Sequence, residues 1–374
     1  MIKKILILVN HDIVIYNFRK ELVERLLAEG NKVVISSPYG ERIENLIKMG
    51  CEYREVSMER HGINPFKELR LYNYYKKLIH DVSPDFVFTF TIKPNIYGGL
   101  AAKRNRVPYI ANITGLGLAF EKKGLVKKLA VKLYKIALSD VQTIFFQNSH
   151  NMKVFYYNKI NIKKHKLLPG SGVNLKEFKG LEYPPDGTVE FVFISRVMKD
   201  KGINEYLEAA KYITKNYPYT KFHICGFCEE SYEDQLRKLQ EEGVITYHGM
   251  LSDVREVLSY THCTVHPTYH EGMSNVLLES AASERPVIAT NIPGCKEIFT
   301  EGVSGIGFEE KSAEKLIQAI VKFLDLSYEE RKKMGIEGRK KVSKEFDREI
   351  VTKSYIDQIN IDTERNYNEF IRTD

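Results

Sequence analysis

Twice along this chain, short runs of continuous apolar residues alternate with stretches of helical periodicity. In the first half, strand-like runs fall at Ile5–Val9, Lys32–Ser36, Tyr53–Val56, Phe86–Phe90, Tyr109–Ile113 and Thr143–Gln147. Helix-type segments lie between them, near Tyr16–Ala28, Glu41–Met49, Pro65–Ile79, Ile96–Asn105 and Val126–Ser139. The second half repeats the theme with runs at Phe191–Ser195, Lys221–Cys225, Ile245–His248, Cys263–Pro267, Val287–Ala289 and Gly305–Phe308. Strands that are apolar on both faces and alternate with helices pair in parallel and are covered on each side. The expected class is therefore α/β, with doubly wound parallel sheets. At 374 residues the chain exceeds what one core usually holds, so two domains are expected. The break falls in Lys179–Thr188, where Pro, Gly and charges cluster without periodicity. This gives domains at 1–178 and 189–345, followed by a helix at Asp347–Ile359 and a polar tail, Asp362–Asp374, that is either more helix or disordered.

In doubly wound sheets ligands bind outside the carboxyl ends of the strands, and that is where the distinctive residues lie. Tyr269-His270-Glu271-Gly272-Met273-Ser274-Asn275-Val276-Leu277-Leu278-Glu279 places two glutamates eight residues apart around a turn. Ser274 or Asn275 caps a helix that carries Glu279. The Ser274–Val276 amides at its start are suited to a phosphate, with a carboxylate on either side to accept hydroxyls. The run Phe191-Val192-Phe193-Ile194-Ser195-Arg196 reads as a strand ending in arginine, followed by Asp200-Lys201-Gly202 in a loop. Arg as a fork and Lys as a point charge neutralise a diphosphate. Each cluster has an ordinary alternative: a capped surface helix with two incidental acids, and a surface ion pair.

Together, the Arg, the Lys-Gly and the Glu-Gly followed by Glu resemble the retaining glycosyltransferases of family 4, which have the GT-B fold. The resemblance covers nearly the whole chain. It implies two Rossmann-like domains facing one another across a cleft, with the last helix crossing back to the first domain. It further implies that Arg196 and Lys201 bind the donor diphosphate and that Glu271 contacts the transferred sugar. Glu279 would accept from the ribose, and the Gly272–Val276 amides (Gly272, Met273, Ser274, Asn275, Val276) would complete the cradle. Gly226, Phe227, Met250 and Leu251 would frame the base, with His270 beside the sugar; Phe227 is equally well explained as packing. The implied reaction is retaining transfer from a nucleotide-sugar, UDP before GDP on family frequency. No tightly bound metal or other cofactor is implied, and no Asp-x-Asp motif is present.

The first domain is then expected to bind the acceptor. Thr114-Gly115-Leu116-Gly117 follows a strand, and similar loops are familiar in the subgroup that extends undecaprenyl-diphosphate-linked sugars for capsule, O-antigen or glycoprotein glycans. The alternative is a tight turn before a helix. His11 and Arg19 are further candidate acceptor contacts, although Asn10-His11-Asp12 replaces the glycine-rich first loop of many family members.

Charge is unevenly shared. Residues 1–170 contain 29 Lys+Arg and 14 Asp+Glu, a balance of +15; the remaining 27 and 35 give −8, which sum to the net +7. An acidic partner for the first half follows, either a polyanion or a membrane surface. Lys122, Lys123, Lys127, Lys128, Lys132 and Lys135 interleave with aliphatic residues as a basic amphipathic helix on anionic lipid would; a solvated lysine face is the alternative. The apolar start after Lys3-Lys4 ends after five residues, short of a signal peptide, and no run approaches the roughly 20 apolar residues of a membrane span. A cytoplasmic protein, peripheral on the inner membrane face, is expected.

Five scattered cysteines fit reduced thiols, and Cys225-Gly-Phe-Cys228 has no second pair to complete a zinc site. His262, His266 and His270 align only on a helix, whereas Cys263–Thr268 reads as strand. Asn112-Ile-Thr114 matches a glycosylation acceptor pattern, which has no meaning without secretion. Three rival functions stand beside transfer to a lipid-linked saccharide. One is a glycosyltransferase with a soluble small-molecule or glucan acceptor. Another is a nucleotide-sugar 2-epimerase, which the Arg196…Lys201 pair disfavours. The third is a non-enzymatic polyanion-binding protein; no nucleic-acid module or stacking platform supports nucleic acid as its partner.

Overall fold

The structure, a computed structural model, describes residues 2–59, 64–116, 120, 124–161 and 163–371, with backbone alone at 125 and 361–371. It divides into two compact units, Met1–Ser171 with Glu349–Asp374, and Gly172–Arg348.

The first unit is built on seven strands: β1 (Lys4–Leu8), β2 (Lys32–Ser37), β3 (Glu52–Glu55), β4 (Phe86–Phe90), β5 (Tyr109–Ile113), β6 (Thr143–Phe146) and β7 (His165–Leu167). They pair in parallel in the order β3-β2-β1-β4-β5-β6-β7. Successive side chains of a strand point to opposite faces, and here each face has its own core. Ile5, Ile7, Val33, Ile35, Phe86, Phe88 and Phe90 enter one core, while Leu6, Leu8, Val34 and Val87 enter the other. That is why these runs are apolar throughout. The helix Arg348–Ile371 lays Val351, Tyr355 and Ile359 into the first of these cores, with the Tyr355 ring against Phe88 and Phe145 at 5.4 and 5.0 Å.

The second unit repeats the plan with six strands: β8 (Val189–Ile194), β9 (Thr220–Cys225), β10 (Thr246–Gly249), β11 (Cys263–His266), β12 (Val287–Thr290) and β13 (Gly305–Phe308). Their order is β10-β9-β8-β11-β12-β13, again all parallel. Phe191 and Phe193 face one core, Val192 and Ile194 the other. Both sheets therefore follow the doubly wound order in which the third, second and first strands precede the fourth onward.

Several elements differ from the sequence reading. The helical segment expected over Tyr16–Ala28 is two helices, Asp12–Phe18 and Lys20–Ala28, separated at Arg19 with φ −141°. Arg19 is buried, its guanidinium donating to the Phe18 carbonyl at 2.6 Å and lying over the Phe90 and Tyr355 rings. The units change over at 171/172, ahead of the Pro-Gly segment. Val173 bridges to Asp347, and the Arg348 guanidinium donates to the Gly172 carbonyl at 3.2 Å, so this stretch belongs to the second unit. Tyr183, within the expected linker, is buried there, and Arg285 donates to the Glu182 carbonyl at 2.6 Å.

Candidate active site

In the second sheet the order reverses between β8 and β11, which lie side by side with Phe191 opposite Cys263 and Val192 opposite Thr264. Connections leave these two strands in opposite directions, which opens a crevice at their carboxyl ends. Arg196, Lys201 and Glu271 all sit on the segments that leave there. The two segments touch closely. Gly202 has φ +75°, and a Cβ on it would lie 2.0 Å from the Pro267 carbonyl oxygen, so only glycine fits. The Tyr269 N–H donates to the Asp200 carbonyl at 3.0 Å and its hydroxyl to Glu205 at 2.7 Å, which fixes the second segment against the first.

Lys201 Nζ meets Glu271 Oε1 at 2.6 Å, with the two side chains 15% and 16% exposed. The same oxygen lies 3.2 Å from His266 Nε2. Burial by itself would raise the Glu271 carboxyl, but the Lys201 charge and the His266 contact more than offset it and hold the group down to about 2. The carboxylate is thus kept ionised beside a cation.

The helix Asn275–Ala282 begins four residues on. Ser274 is its N-cap, accepting the Leu277 N–H at 3.3 Å, which leaves the Asn275 and Val276 amides at a helix start where they have no partner inside the helix. The Ser274 side chain and the buried Met273 are therefore structural members of the turn. Gly294, with φ +88°, backs this turn: its carbonyl accepts the Ser274 N–H at 2.9 Å, and a Cβ would lie 2.9 Å from the Glu271 carbonyl oxygen. One turn along, Glu279 is half-buried, and burial pushes its carboxyl up to about 7; the Arg348 charge lowers it only in part, while Glu177 and Asp253 push the same way. Two carboxylates eight residues apart are thus driven in opposite directions by their surroundings.

Arg196 pairs with Glu229, a partner the sequence reading missed, and both side chains reach the surface. The Gly226 N–H donates to the Gly249 carbonyl at 2.7 Å, which brings the ends of β9 and β10 together. Phe227 and Met250, which follow these strands, are exposed large apolar side chains, whereas Leu251 packs with Val276 against the core under β8. His270 is exposed. The sequence pattern assigns His266 only to a strand. Its place as the last residue of β11, at the sheet's carboxyl edge, was a signal available in the sequence, whereas nothing local marked Glu229.

In the first unit, His11 caps the helix Asp12–Phe18, its Nδ1 accepting the Ile13 N–H at 3.3 Å, and it is half-buried at the end of the β1 connection. Arg19 lies inside that unit as described above. Thr114 follows β5, and a Cβ on Gly115 would meet nothing within 4 Å. Gly117, Lys122 and Lys123 lie outside the described residues. Lys128, Lys132 and Lys135 are exposed on the helix Leu125–Ala137, with Lys127 half-buried, and the exposed Val126, Leu129 and Ile136 stand among them. No helix among the described residues is long and apolar enough to cross a membrane.

Comparison with known proteins agrees with the fold. Residues 177–341 match the family described as Glycosyl transferases group 1, and residues 4–148 match Glycosyl transferase 4-like. The chain is similar to the N,N'-diacetylbacillosaminyl-diphospho-undecaprenol alpha-1,3-N-acetylgalactosaminyltransferase of Campylobacter jejuni, at 25% identity over 83% of this chain and 86% of that one. It is also similar to the UDP-Gal:alpha-D-GlcNAc-diphosphoundecaprenol alpha-1,3-galactosyltransferase of Escherichia coli, at 26% identity over 71% and 72% of the two chains. Among solved structures, a glycosyltransferase from Rickettsia africae ESF-5 superposes with a TM-score of 0.79 at 20% identity, over 96% of this chain and 98% of that one. With its two parallel sheets, its Arg…Lys-Gly and its paired glutamates, this chain belongs to the group 1, family 4-like glycosyltransferases of GT-B fold.

Proposed function

We propose that the chain is a retaining glycosyltransferase that moves a hexose or N-acetylhexosamine from a UDP-sugar to a lipid-linked, undecaprenyl-diphosphate-borne saccharide in bacterial surface polysaccharide or glycan synthesis. The observation that carries the donor half is the Lys201–Glu271 pair at the start of the helix that bears Glu279. The names of the two curated relatives support the acceptor half, since both specify a diphosphoundecaprenol-linked saccharide.

In this scheme Arg196 and Lys201 neutralise the diphosphate as the glycosidic C–O bond breaks, and the Asn275 and Val276 amides add the positive end of the helix. Glu271 holds the sugar and Glu279 accepts from the ribose hydroxyls. The acceptor hydroxyl attacks on the face the phosphate leaves, and a departing phosphate oxygen takes its proton, so no protein base is required. Charge at the leaving group is met by side chains and backbone, and the scheme needs no tightly bound metal. Phe227 and Met250 flank the base, and His11, Thr114 and Gly115 are assigned to the acceptor.

Glu229 competes with the diphosphate for Arg196. Glu229→Gln should lower the KM for the UDP-sugar by up to about fivefold, the value of an exposed ion pair; an unchanged KM in steady-state assays would place Arg196 elsewhere in the cycle.

The acceptor class implies work at the inner face of the plasma membrane, and the outward face of the helix Leu125–Ala137 suits it. Replacing Lys128, Lys132 and Lys135 by Ala together should weaken binding to phosphatidylglycerol vesicles by about 1 kcal/mol per lysine at low salt. Sedimentation with vesicles checks this, and undiminished binding would remove the helix from the contact. The proposed function itself is tested by supplying UDP-sugars with lipid-linked and with soluble saccharides. Turnover with the soluble set alone would move the acceptor to that class.

A further inference from the structure

His266 has no assigned part in the chemistry, yet it is 2% exposed and sits at the centre of the site. Its Nε2 lies 3.2 Å from Glu271 Oε1 and 3.1 Å from Ser274 Oγ, while its Nδ1 is buried without a hydrogen-bond partner among the described residues. A hydrogen on Nδ1 would be stranded, so the tautomer this network supports carries it on Nε2, facing the carboxylate. The same Glu271 oxygen accepts from Lys201, and the same Ser274 hydroxyl caps the helix through the Leu277 N–H. One imidazole therefore ties the carboxylate to the first turn of the helix.

We propose that His266 is a positioning residue that aims Glu271 from the helix start, which is itself held without it by the Ser274 N–H on the Gly294 carbonyl, and so acts on the sugar half of the donor and not on the nucleotide half. The inference rests on the reading of this site as the UDP-sugar site and adds the residue that sets its geometry. Lys201 compensates the charge of Glu271 but sits on a flexible stem, whereas the His266 ring is locked in the β11 strand end by burial. A carboxylate held by the lysine alone keeps its charge and loses its aim.

The test uses the full chain, with UDP binding and turnover of UDP-N-acetylgalactosamine and UDP-galactose as separate readouts. His266→Leu removes the donor hydrogen at similar bulk and should lower kcat on the order of 100-fold while leaving the affinity for UDP alone unchanged. His266→Gln offers an amide N–H near the Nε2 position and should recover at least about a tenth of the wild-type rate on the same scale. In a Glu271→Ala background, His266→Leu should cost nothing further, because residues that act through one another are not additive. A structural role would weaken UDP binding in step with turnover and would show no rescue by Gln. Additive losses in the double variant, or loss of UDP affinity in His266→Leu, would overturn the inference. A wild-type chain that binds no UDP and turns over no UDP-sugar would instead overturn the donor-site reading, and that result is visible before any variant is made.

Discussion

Lys201→Ala should reduce turnover and stability together. The lysine is the cation that the diphosphate meets in the proposed scheme, and loss of a comparable charge-stabilising donor lowers kcat by about 2–4 kcal/mol equivalent. Before any donor binds, it also compensates Glu271 at 2.6 Å in a site where both side chains are mostly buried. Removing one member of such a pair strands the other, at about 3–5 kcal/mol. Glu271 then loses the Lys201 charge, the largest single influence that holds it near 2, and its carboxyl rises. A carboxyl lower in the folded than the unfolded state contributes stability that is complete above about 4.5 and is lost as pH falls through about 2. Thermal melts between these limits should show a steep acid loss in the wild type and a much shallower one in Lys201→Ala. Full turnover in the variant, or identical acid profiles, would contradict the assignment.

Glu279→Gln should stabilise the free protein while it weakens UDP binding. The Glu279 carboxyl is pushed up to about 7, chiefly by burial. A carboxyl raised in the folded state costs stability as it ionises, a cost that grows as pH rises from about 4.5 and is complete above about 7. Glutamine removes that cost, so the variant should melt higher than the wild type at pH 8. Ribose hydroxyls that donate to Glu279 favour its ionised form. Wild-type UDP affinity should therefore climb between pH 5 and pH 7, with a proton released on binding near neutrality. Calorimetry in buffers of different ionisation enthalpy reads that proton directly. The variant should lose the pH dependence along with about 1.5–3 kcal/mol of affinity, the worth of hydrogen bonds to a charged group. A variant that binds UDP normally would remove Glu279 from the ribose. From Glu271 and Glu279 alone, stability rises with pH up to about 4.5 and falls beyond it.

The sheets were legible because a parallel strand covered on both faces has to be apolar at every position, as Phe191–Ile194 and Ile5–Leu8 are. The motif of the candidate site was legible for a different reason: Gly202, the Ser274 cap and the spacing to Glu279 are local requirements of a strand–turn–helix. What escaped depends on partners far along the chain. Arg19 divides a helix by packing on Phe90 and Tyr355, and Glu229 lies 33 residues from the Arg196 it pairs with. The changeover at 171/172 is set by Arg348 bonding to Gly172, across 176 residues. The edge strand β7, His165–Leu167, is mostly exposed and rich in lysine nearby, so it carried no apolar signature.

The most direct test of the central claim is transfer of label from a panel of UDP- and GDP-sugars into the solvent-extractable lipid of bacterial membranes, with Glu271→Ala as control. The account predicts label in lipid from one UDP-sugar with the wild-type chain and loss of that label with the variant. Nucleotide release from a donor with no lipid labelled, or equal labelling by the Glu271→Ala protein, would contradict it.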